Sequence, residues 1–383
     1  MPYLRYPKTT TPKLWAGSIL AIFLTGCSVT PKAPGIAEEV CWNQLKGWQD
    51  DQLVEAIPAL QSQCDRLSKK DTVWKNICEA APKDASTPEV RRFFETHFSP
   101  HNIVGLQNKN QGLITGYYEP TLYGSFERSE RFNYPIYQRP DDMFEVRLES
   151  RFPTLKNQRV RARIEGNKIV PYYSRAEIDG NQQPLKGHEI IWVDDADAAF
   201  FLHIQGSGRV QLPDGNSVGV GYADQNGHPY HAIGKSLIAQ GELTRENVSL
   251  QTIRAWLKNN PDKAFELKNS NPSYIFFQLR HDLDNGPRGS LNVPLTPERS
   301  VAVDRKIIPL GTPLWINTQL PNTTTPYQRL VFAQDTGGAI NGPVRADLFF
   351  GKGDRAEQLA GEMKQTGSLF ALLPKPANAK LCN

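Results

Sequence analysis

From about residue 112 to about residue 351, the sequence contains short runs of β-forming residues separated by glycine, proline and asparagine. Residues 113–120 form one such run, and residues 190–193 form another. Residues 200–212 have the pattern of a strand, a glycine turn and a second strand. Many short strands of this kind favour closed barrels over one parallel sheet. We therefore predict a mainly β protein with accessory helices.

Helical patterns occur in two places. Before the β-rich part, apolar residues recur at helix spacing around Leu53 and Leu60, and a second helix over residues 87–98 is predicted to have Thr87 as its N-cap. Within the β-rich part, residues 233–237 and 250–257 also follow a helical pattern. We interpret these segments as packing elements around a β core.

The amino terminus has the layout of a secretory signal peptide. Arg5, Lys8 and Lys13 precede an apolar run over residues 14–24. A helix needs about 20 residues to cross a bilayer, and this run is much shorter. We predict a signal peptide over residues 1–26, with a transmembrane anchor as the alternative.

Cys27 follows the small-residue segment 24–26 and resembles the lipidated cysteine of a bacterial lipobox. This reading predicts that residues 27–40 are the lipid-modified cysteine and a short tether. Ser28, in the position after the cysteine, indicates the periplasmic face of the outer membrane in a bacterium with two membranes. An ordinary cleaved signal peptide is the alternative.

The net charge argues against one class of partner. The chain carries +4, and removal of residues 1–26 takes away three positive charges and no acid, which leaves +1. A nucleic-acid-binding protein needs a strongly basic surface to neutralise phosphates. We therefore expect no nucleic-acid partner.

Five cysteines are present, and lipidation of Cys27 would leave four for disulfides in an oxidising compartment. We predict Cys64–Cys78 and Cys41–Cys382, one of three possible pairings. Their spacing matches no zinc pattern, so we expect no metal ion.

Three aspartates follow apolar runs near the carboxyl terminus. Asp304 follows residues 301–303, Asp335 follows residues 330–334, and Asp347 follows residues 344–346. A carboxylate where a strand meets a glycine turn is partly shielded from water, which raises its pKa towards the range that a general acid needs. Strand-end aspartates also commonly cap turns, so the evidence is the recurrence of the pattern.

These segments resemble a known family. Residues 301–312 and 334–347 are similar to the three-aspartate domain of the membrane-bound lytic murein transglycosylase A family. The resemblance continues upstream and covers roughly residues 112–351 in matching order, through segments 115–120, 174–178, 205–208, 222–235, 271–277 and 289–297. It is weak before residue 110.

The resemblance implies a fold in two parts. A double-psi β-barrel would combine part of residues 41–114, which also hold the helical region, with the three-aspartate segment 286–383. A second β-domain, residues 115–285, would be inserted into the barrel domain, and the substrate groove would lie between the two.

The resemblance also implies an activity. The family cleaves the β-1,4 bond between N-acetylmuramic acid and N-acetylglucosamine in peptidoglycan and forms a 1,6-anhydro product without a cofactor. By position, Asp347 would be the catalytic acid and base, Asp335 would tune or orient it, and Asp304 would be structural. The predicted substrate-binding residues are Thr115, Tyr117, Tyr118, Glu119, Arg175, Glu177, Gln205, Gly206, Ser207 and Gly208.

Two other functions fit the residues. The first is a hydrolase of peptidoglycan or another glucan that uses Asp347 as acid and Asp335 as base. The second is a non-catalytic lipoprotein that binds the cell wall. The expected partners are the glycan strands and a membrane lipid, alongside a cell-wall synthesis or division complex, and the chain is expected to act as a monomer.

Overall fold

The computed structural model describes residues 33–155 and 160–375. The predicted signal peptide, Cys27 and Cys382 lie outside the described residues. In the two described ranges, no helix combines the length and the apolar character that crossing a membrane requires.

The α-helices of the described ranges are α1 (Ile57–Leu67), α2 (Thr72–Ala80), α3 (Thr87–His97), α4 (Arg175–Ile178), α5 (Ala196–Gln205), α6 (Ile233–Ala239), α7 (Leu250–Asn259), α8 (Pro261–Asn269) and α9 (Asp354–Glu362). The strands are β1 (Gly35–Glu39), β2 (Phe98–Val104), β3 (Gly112–Glu119), β4 (Thr121–Ser125), β5 (Tyr134–Tyr137), β6 (Phe144–Val146), β7 (Val160–Glu165), β8 (Lys168–Pro171), β9 (Glu189–Val193), β10 (Ser207–Gln211), β11 (Ser217–Gln225), β12 (Ile275–Arg280), β13 (Ser300–Val303), β14 (Pro313–Gln319), β15 (Pro326–Asp335), β16 (Arg345–Lys352) and β17 (Lys364–Pro374). Short 3-10 turns lie at Trp42–Gln44, Leu53–Ala56, Leu106–Asn108 and Pro153–Leu155.

Six strands form a closed barrel in the order β3, β16, β13, β15, β14 and β17, and β17 pairs back onto β3. The β13–β15 and β16–β3 pairs are parallel, and the other barrel pairs are antiparallel. β2 and then β1 add to β17 outside the closed ring. Closure satisfies the backbone groups that an open sheet would leave at its edges. This architecture agrees with the predicted barrel.

Successive side chains along each barrel strand point alternately into the barrel core and away from it. In β16, Ala346 and Leu348 belong to the main core cluster, together with Ile114 of β3. Successive side chains of a strand point to opposite faces, so Asp347 and Phe349 face the other way. Phe349 packs in a separate small cluster.

The region before the barrel packs α1, α2 and α3 against β14 and β15. Trp48 stacks edge-to-face against Trp315 at 5.2 Å and Phe94 at 6.4 Å. A disulfide joins Cys64 of α1 to Cys78 of α2, with the Cα atoms 5.5 Å apart. The predicted Cys64–Cys78 bond is thus confirmed, whereas the predicted Cys41–Cys382 bond involves a residue outside the described part of the chain.

Between β3 and β13, the chain builds a second β region. One sheet has the order β12, β11, β10, β4, β9 and β5, and a smaller sheet has the order β6, β7 and β8. Helix α5 packs on the first sheet and on α6, α7 and α8 through two apolar clusters. A second β region inserted into the barrel part of the sequence is the predicted arrangement.

Two local predictions were wrong. Residues 200–205 belong to helix α5, because Asp195 accepts hydrogen bonds from the first N–H groups and Gly206 ends the helix in the left-handed conformation at φ 81°. An apolar run that is buried on all sides shows no period that distinguishes helix from strand. The cap of α3 is Ser86, whose hydroxyl and backbone N–H both contact Glu89, so Thr87 is the first helical residue.

Candidate active site

Four residues of the barrel wall form one row across adjacent strands. Ala302 of β13 is the partner of Asp335 on β15 and of Asp347 on β16, and Asp347 is the partner of Thr115 on β3. Because neighbouring strands lie about 4.8 Å apart, the Cα atoms of Asp335 and Asp347 are separated by roughly 10 Å. The small side chain of Ala302 lies between the two carboxylates.

Asp347 is half-buried and has few polar partners. Thr115 Oγ1 donates a close hydrogen bond to Asp347 Oδ1. Within residues 33–155 and 160–375, no other protein group donates to this carboxylate. Burial raises the pKa of Asp347, and the nearby charge of Asp335 raises it further, whereas Arg345 and the Thr115 hydrogen bond lower it. The net shift is upward, so the carboxyl keeps its proton to a higher pH than an exposed aspartate does.

Asp335 is surrounded by donors. Its Oδ1 accepts hydrogen bonds from the backbone N–H of Ser290 at 2.9 Å, the hydroxyl of Ser290 at 3.0 Å and the backbone N–H of Thr336 at 2.8 Å. Its Oδ2 accepts one from the hydroxyl of Tyr117 at 2.9 Å. Burial raises the pKa of Asp335, and these hydrogen bonds partly offset that effect. Both carboxylate oxygens are therefore engaged by the protein.

Asp304 bonds the backbone of the loops next to the site. Its Oδ1 accepts from the N–H of Lys306 at 3.1 Å, and its Oδ2 accepts from the N–H of Gly342 at 2.9 Å. The second bond ties the end of β13 to the loop that leads into β16 and Asp347. These contacts fit the structural role predicted for Asp304.

The segment 205–208 lies beside the end of β3. Gln205 Oε1 accepts a hydrogen bond from the backbone N–H of Tyr118 at 3.0 Å. Gly208 is buried, and a Cβ atom there would lie 2.6 Å from Leu202 Cδ1. Ser207 and Gly206 are partly exposed. The structure therefore brings the segment 205–208 of the insert next to the strand that holds Thr115 and Tyr117.

Two of the predicted substrate-binding side chains on β3 point into the protein. Tyr118 is 2 % exposed, and its hydroxyl accepts a hydrogen bond from Arg254 at 3.3 Å. Glu119 is 2 % exposed and pairs with Arg209 at 2.8 Å and Arg280 at 3.1 Å. This burial contradicts direct substrate contact by either side chain, because neither reaches the surface.

Arg175 and Glu177 also have structural partners. Arg175 is 2 % exposed and donates to the carbonyl oxygens of Asn271 at 3.2 Å and Ser273 at 2.8 Å, which again contradicts substrate contact. Glu177 is exposed, but its carboxylate accepts from the N–H and the hydroxyl of Ser174, both at 2.7 Å, and caps α4. These hydrogen bonds lower the pKa of Glu177.

Sequence reasoning missed Ser290, which supplies two of the four donors to Asp335. Ser290 lies in a loop 45 positions before Asp335 and in no strand. No periodic or compositional signal marks it.

In the described residues, no cluster of three or more histidine, cysteine, aspartate or glutamate side chains is arranged to hold a metal ion.

Residues 113–278 match the model of the MltA specific insert domain, and residues 299–373 match that of the 3D domain. The membrane-bound lytic murein transglycosylase A of Escherichia coli K12 is 30 % identical over 330 residues, which cover 84 % of this chain and 81 % of that protein.

Solved structures of this family are also similar, and two of them illustrate the match. One is a membrane-bound lytic murein transglycosylase from Agrobacterium tumefaciens, with a TM-score of 0.78 and 31 % identity over 89 % of this chain and 98 % of the other. The other is E. coli MltA with bound chitohexaose, with a TM-score of 0.66 and 27 % identity over 90 % of this chain and 95 % of the other. Fold, site and these similarities together show that the chain belongs to the membrane-bound lytic murein transglycosylase A family.

Proposed function

We propose that this protein is a lytic transglycosylase that cleaves the β-1,4 bond between N-acetylmuramic acid and N-acetylglucosamine in peptidoglycan. The single observation that carries the proposal is the state of Asp347. Its side chain is half-buried, its pKa is raised, and among the described residues Thr115 alone donates a hydrogen bond to it. Family membership supplies the substrate class.

Asp347 performs both proton transfers in this mechanism. The protonated carboxyl donates its proton to the glycosidic oxygen as the bond from that oxygen to muramic acid C1 breaks. The resulting carboxylate then takes the proton of the C6 hydroxyl, whose oxygen forms the new bond to C1. The product is a 1,6-anhydro-muramic acid end, and no water is consumed. The substrate's acetamido group stabilises the positive charge that develops at C1.

The partners of Asp335 support a tuning role over a second catalytic role. A two-carboxylate hydrolase needs a carboxylate that is free to activate a water or to attack the sugar. Asp335 instead accepts four hydrogen bonds from Tyr117, Ser290 and Thr336. Its charge raises the pKa of Asp347 and so helps to keep the acid protonated.

For substrate binding, we propose a groove between the barrel wall and the insert. Thr115, Gln205, Gly206 and Ser207 would line it, because they lie on or beside the strand next to Asp347. Tyr117 would act mainly by holding Asp335, since it is 9 % exposed and its hydroxyl is already bonded.

For location and organisation, we propose a periplasmic outer-membrane lipoprotein that is anchored through lipidated Cys27. The relatives' description as membrane-bound supports a membrane association. We divide the chain into residues 41–114, 115–285 and 286–383, and we expect a monomer that works near a cell-wall synthesis or division complex.

The test is mass spectrometry of the soluble muropeptides that purified full-length protein releases from sacculi. The variants are Asp347→Asn and, as a matched control, Asp141→Asn, which changes an exposed aspartate of the insert. We expect wild type and control to release products lighter than hydrolytic ones by the mass of one water, and Asp347→Asn to release none. Reducing-end products would support the hydrolase, and no release by wild type would support the wall-binding lipoprotein.

A further inference from the structure

The loop between β11 and α6, residues 226–232, is fixed at its first residue. Asn226 is 1 % exposed and donates through Nδ2 to the carbonyl oxygens of Tyr173 at 2.9 Å and Pro272 at 2.8 Å. Its Oδ1 accepts from the N–H of Tyr274 at 2.9 Å. The same Oδ1 also accepts from the N–H of His228 at 3.4 Å. A buried amide that makes four hydrogen bonds to the backbone holds this end of the loop firmly.

The rest of the loop is fixed as well. The N–H of His231 donates to Oδ1 of the buried Asn271 at 3.0 Å. His228 Nε2 bonds the carbonyl oxygen of Tyr172 at 2.7 Å, and Gly227 turns the chain at φ 82°. These bonds lie on both sides of residue 230. The loop therefore presents that side chain in one direction.

The side chain at this position is Tyr230, and it lies next to the loop of residues 336–344, which joins β15 to β16. A Cβ atom at Gly338, three residues after Asp335, would lie 3.6 Å from Tyr230 Cβ. Asp347 is close enough for its charge to act on the hydroxyl: burial, and then this charge, raise the pKa of Tyr230 to about 12. The phenol is therefore neutral at any pH at which the enzyme would work.

The hydroxyl of Tyr230 is available to a ligand. The side chain is only partly buried, and its hydroxyl makes no hydrogen bond to the protein within residues 33–155 and 160–375. The other tyrosine near the carboxylates, Tyr117, already donates to Asp335. A tyrosine with a free hydroxyl and an accessible ring can donate to a sugar oxygen and pack against sugar C–H groups.

We propose that Tyr230 contacts the sugar unit at the cleaved bond from the insert side of the groove, where its hydroxyl donates a hydrogen bond to an oxygen of that unit and holds it against Asp347. This deepens the proposed function and rests on it. It assigns the segment 226–232, which the sequence marked only as part of the family resemblance, to substrate positioning near the acid.

The first test measures binding without cleavage. In the Asp347→Asn background, calorimetry gives the Kd of chitohexaose for Tyr230, Tyr230→Phe and Tyr230→Ala in the full chain. The matched control is Tyr123→Phe, an exposed tyrosine of β4 that pairs with the far end of β10. Loss of one neutral hydrogen bond should weaken binding about 5- to 10-fold in Tyr230→Phe. Tyr230→Ala should weaken binding more than Tyr230→Phe does. The Tyr123→Phe control should bind chitohexaose with the same Kd as the Asp347→Asn protein.

The second test uses the active enzyme on soluble glycan strands. Tyr230→Phe should raise KM or lower kcat/KM about 5- to 10-fold and leave the pH dependence of kcat unchanged. An unchanged Kd and KM in both Tyr230 variants would overturn the proposal. A pH profile that shifts at constant Kd would also overturn it, because Tyr230 would then act only through Asp347. The calorimetry does not depend on the product, so its outcome stands even if wild type proves to be a hydrolase.

Discussion

Two aspartates, one buried beside the barrel and one half-buried in its wall, have opposite surroundings. At the junction with the helical region, Asp51 forms a two-pronged ion pair with Arg299, with distances of 2.7 and 2.8 Å, and accepts from the N–H of Leu330 at 2.9 Å. In the active site, Asp347 has the hydrogen bond from Thr115 and no ion pair among the described residues. The charge of the Asp51 carboxylate is thus balanced by an arginine, whereas the Asp347 carboxylate has one hydrogen bond and no ion-pair partner among the described residues.

The difference shows how one fold separates stability from chemistry. A buried ion pair that loses one partner leaves an uncompensated charge, so the contact between the helical region and the barrel depends on both Asp51 and Arg299. A general acid must instead hold its proton near neutral pH and release it to the substrate. Burial with few partners raises the pKa of Asp347, which is the direction that a general acid requires.

The largest expected effect is on the free energy of unfolding, at the Asp51–Arg299 ion pair between the helical region and the barrel. Asp51→Ala leaves Arg299, which is 1 % exposed, without its main partner. We expect a loss of about 3–5 kcal/mol in the free energy of unfolding, measured by urea denaturation. The control is Glu55→Gln: Glu55 also bonds Arg299, at 2.9 Å, but its side chain is 52 % exposed. This change should cost less than about 1 kcal/mol, and equal losses in the two variants would remove the contrast between the regions.

Asp335→Asn tests whether the second carboxylate tunes the first. Removal of the charge of Asp335 takes away a contribution that raises the pKa of Asp347. The alkaline limb of the pH–rate profile on soluble glycan strands should move to lower pH. The rate near neutral pH should fall roughly tenfold for each unit that the pKa of Asp347 drops. Complete loss of activity at every pH would indicate a direct catalytic role for Asp335.

Thr115→Val should shift the same profile the other way. The Thr115 hydroxyl stabilises the charged form of Asp347 and lowers its pKa, so its removal should move the alkaline limb to higher pH. One hydrogen bond corresponds to a change of about two- to tenfold in rate. If Thr115→Val and Asp335→Asn move the limb in the same direction, the electrostatic account of the site is incorrect.

The smallest expected effect is that of Asp347→Asn on the stability of the folded protein. Because the folded-state pKa of Asp347 lies above the unfolded value, ionisation of this group weakens the fold. Asp347→Asn should therefore be more stable than wild type at neutral pH. The difference in stability should shrink as the pH falls through the raised pKa of Asp347 and should be largely gone at about 3.9, the ordinary aspartate value. Thermal unfolding over this pH range checks the prediction, and a constant gap would contradict it.

Much of the site was predictable because its signals are local. Asp304, Asp335 and Asp347 each follow an apolar run, and the structure places Asp304 directly after β13 and Asp335 at the last position of β15. Asp347 differs from the prediction, because it is the third residue of β16 and not a strand-end residue. The Cys64–Cys78 bond joins residues only 14 positions apart. Burial was harder: the motif that identifies Glu119 and Arg175 does not show that each side chain points into the protein.

By itself, the sequence determined the β-rich barrel class, the three aspartates and the family, because strand patterns and motifs are contained in a few consecutive residues. Only the tertiary structure decided that Thr115 and Asp347, 232 positions apart, are bonded across one strand pair. It also decided that Ser290 holds Asp335 and that Tyr230 lies beside Gly338. The physical reason is that strand register and burial are set by packing between distant segments, and no single segment carries that information.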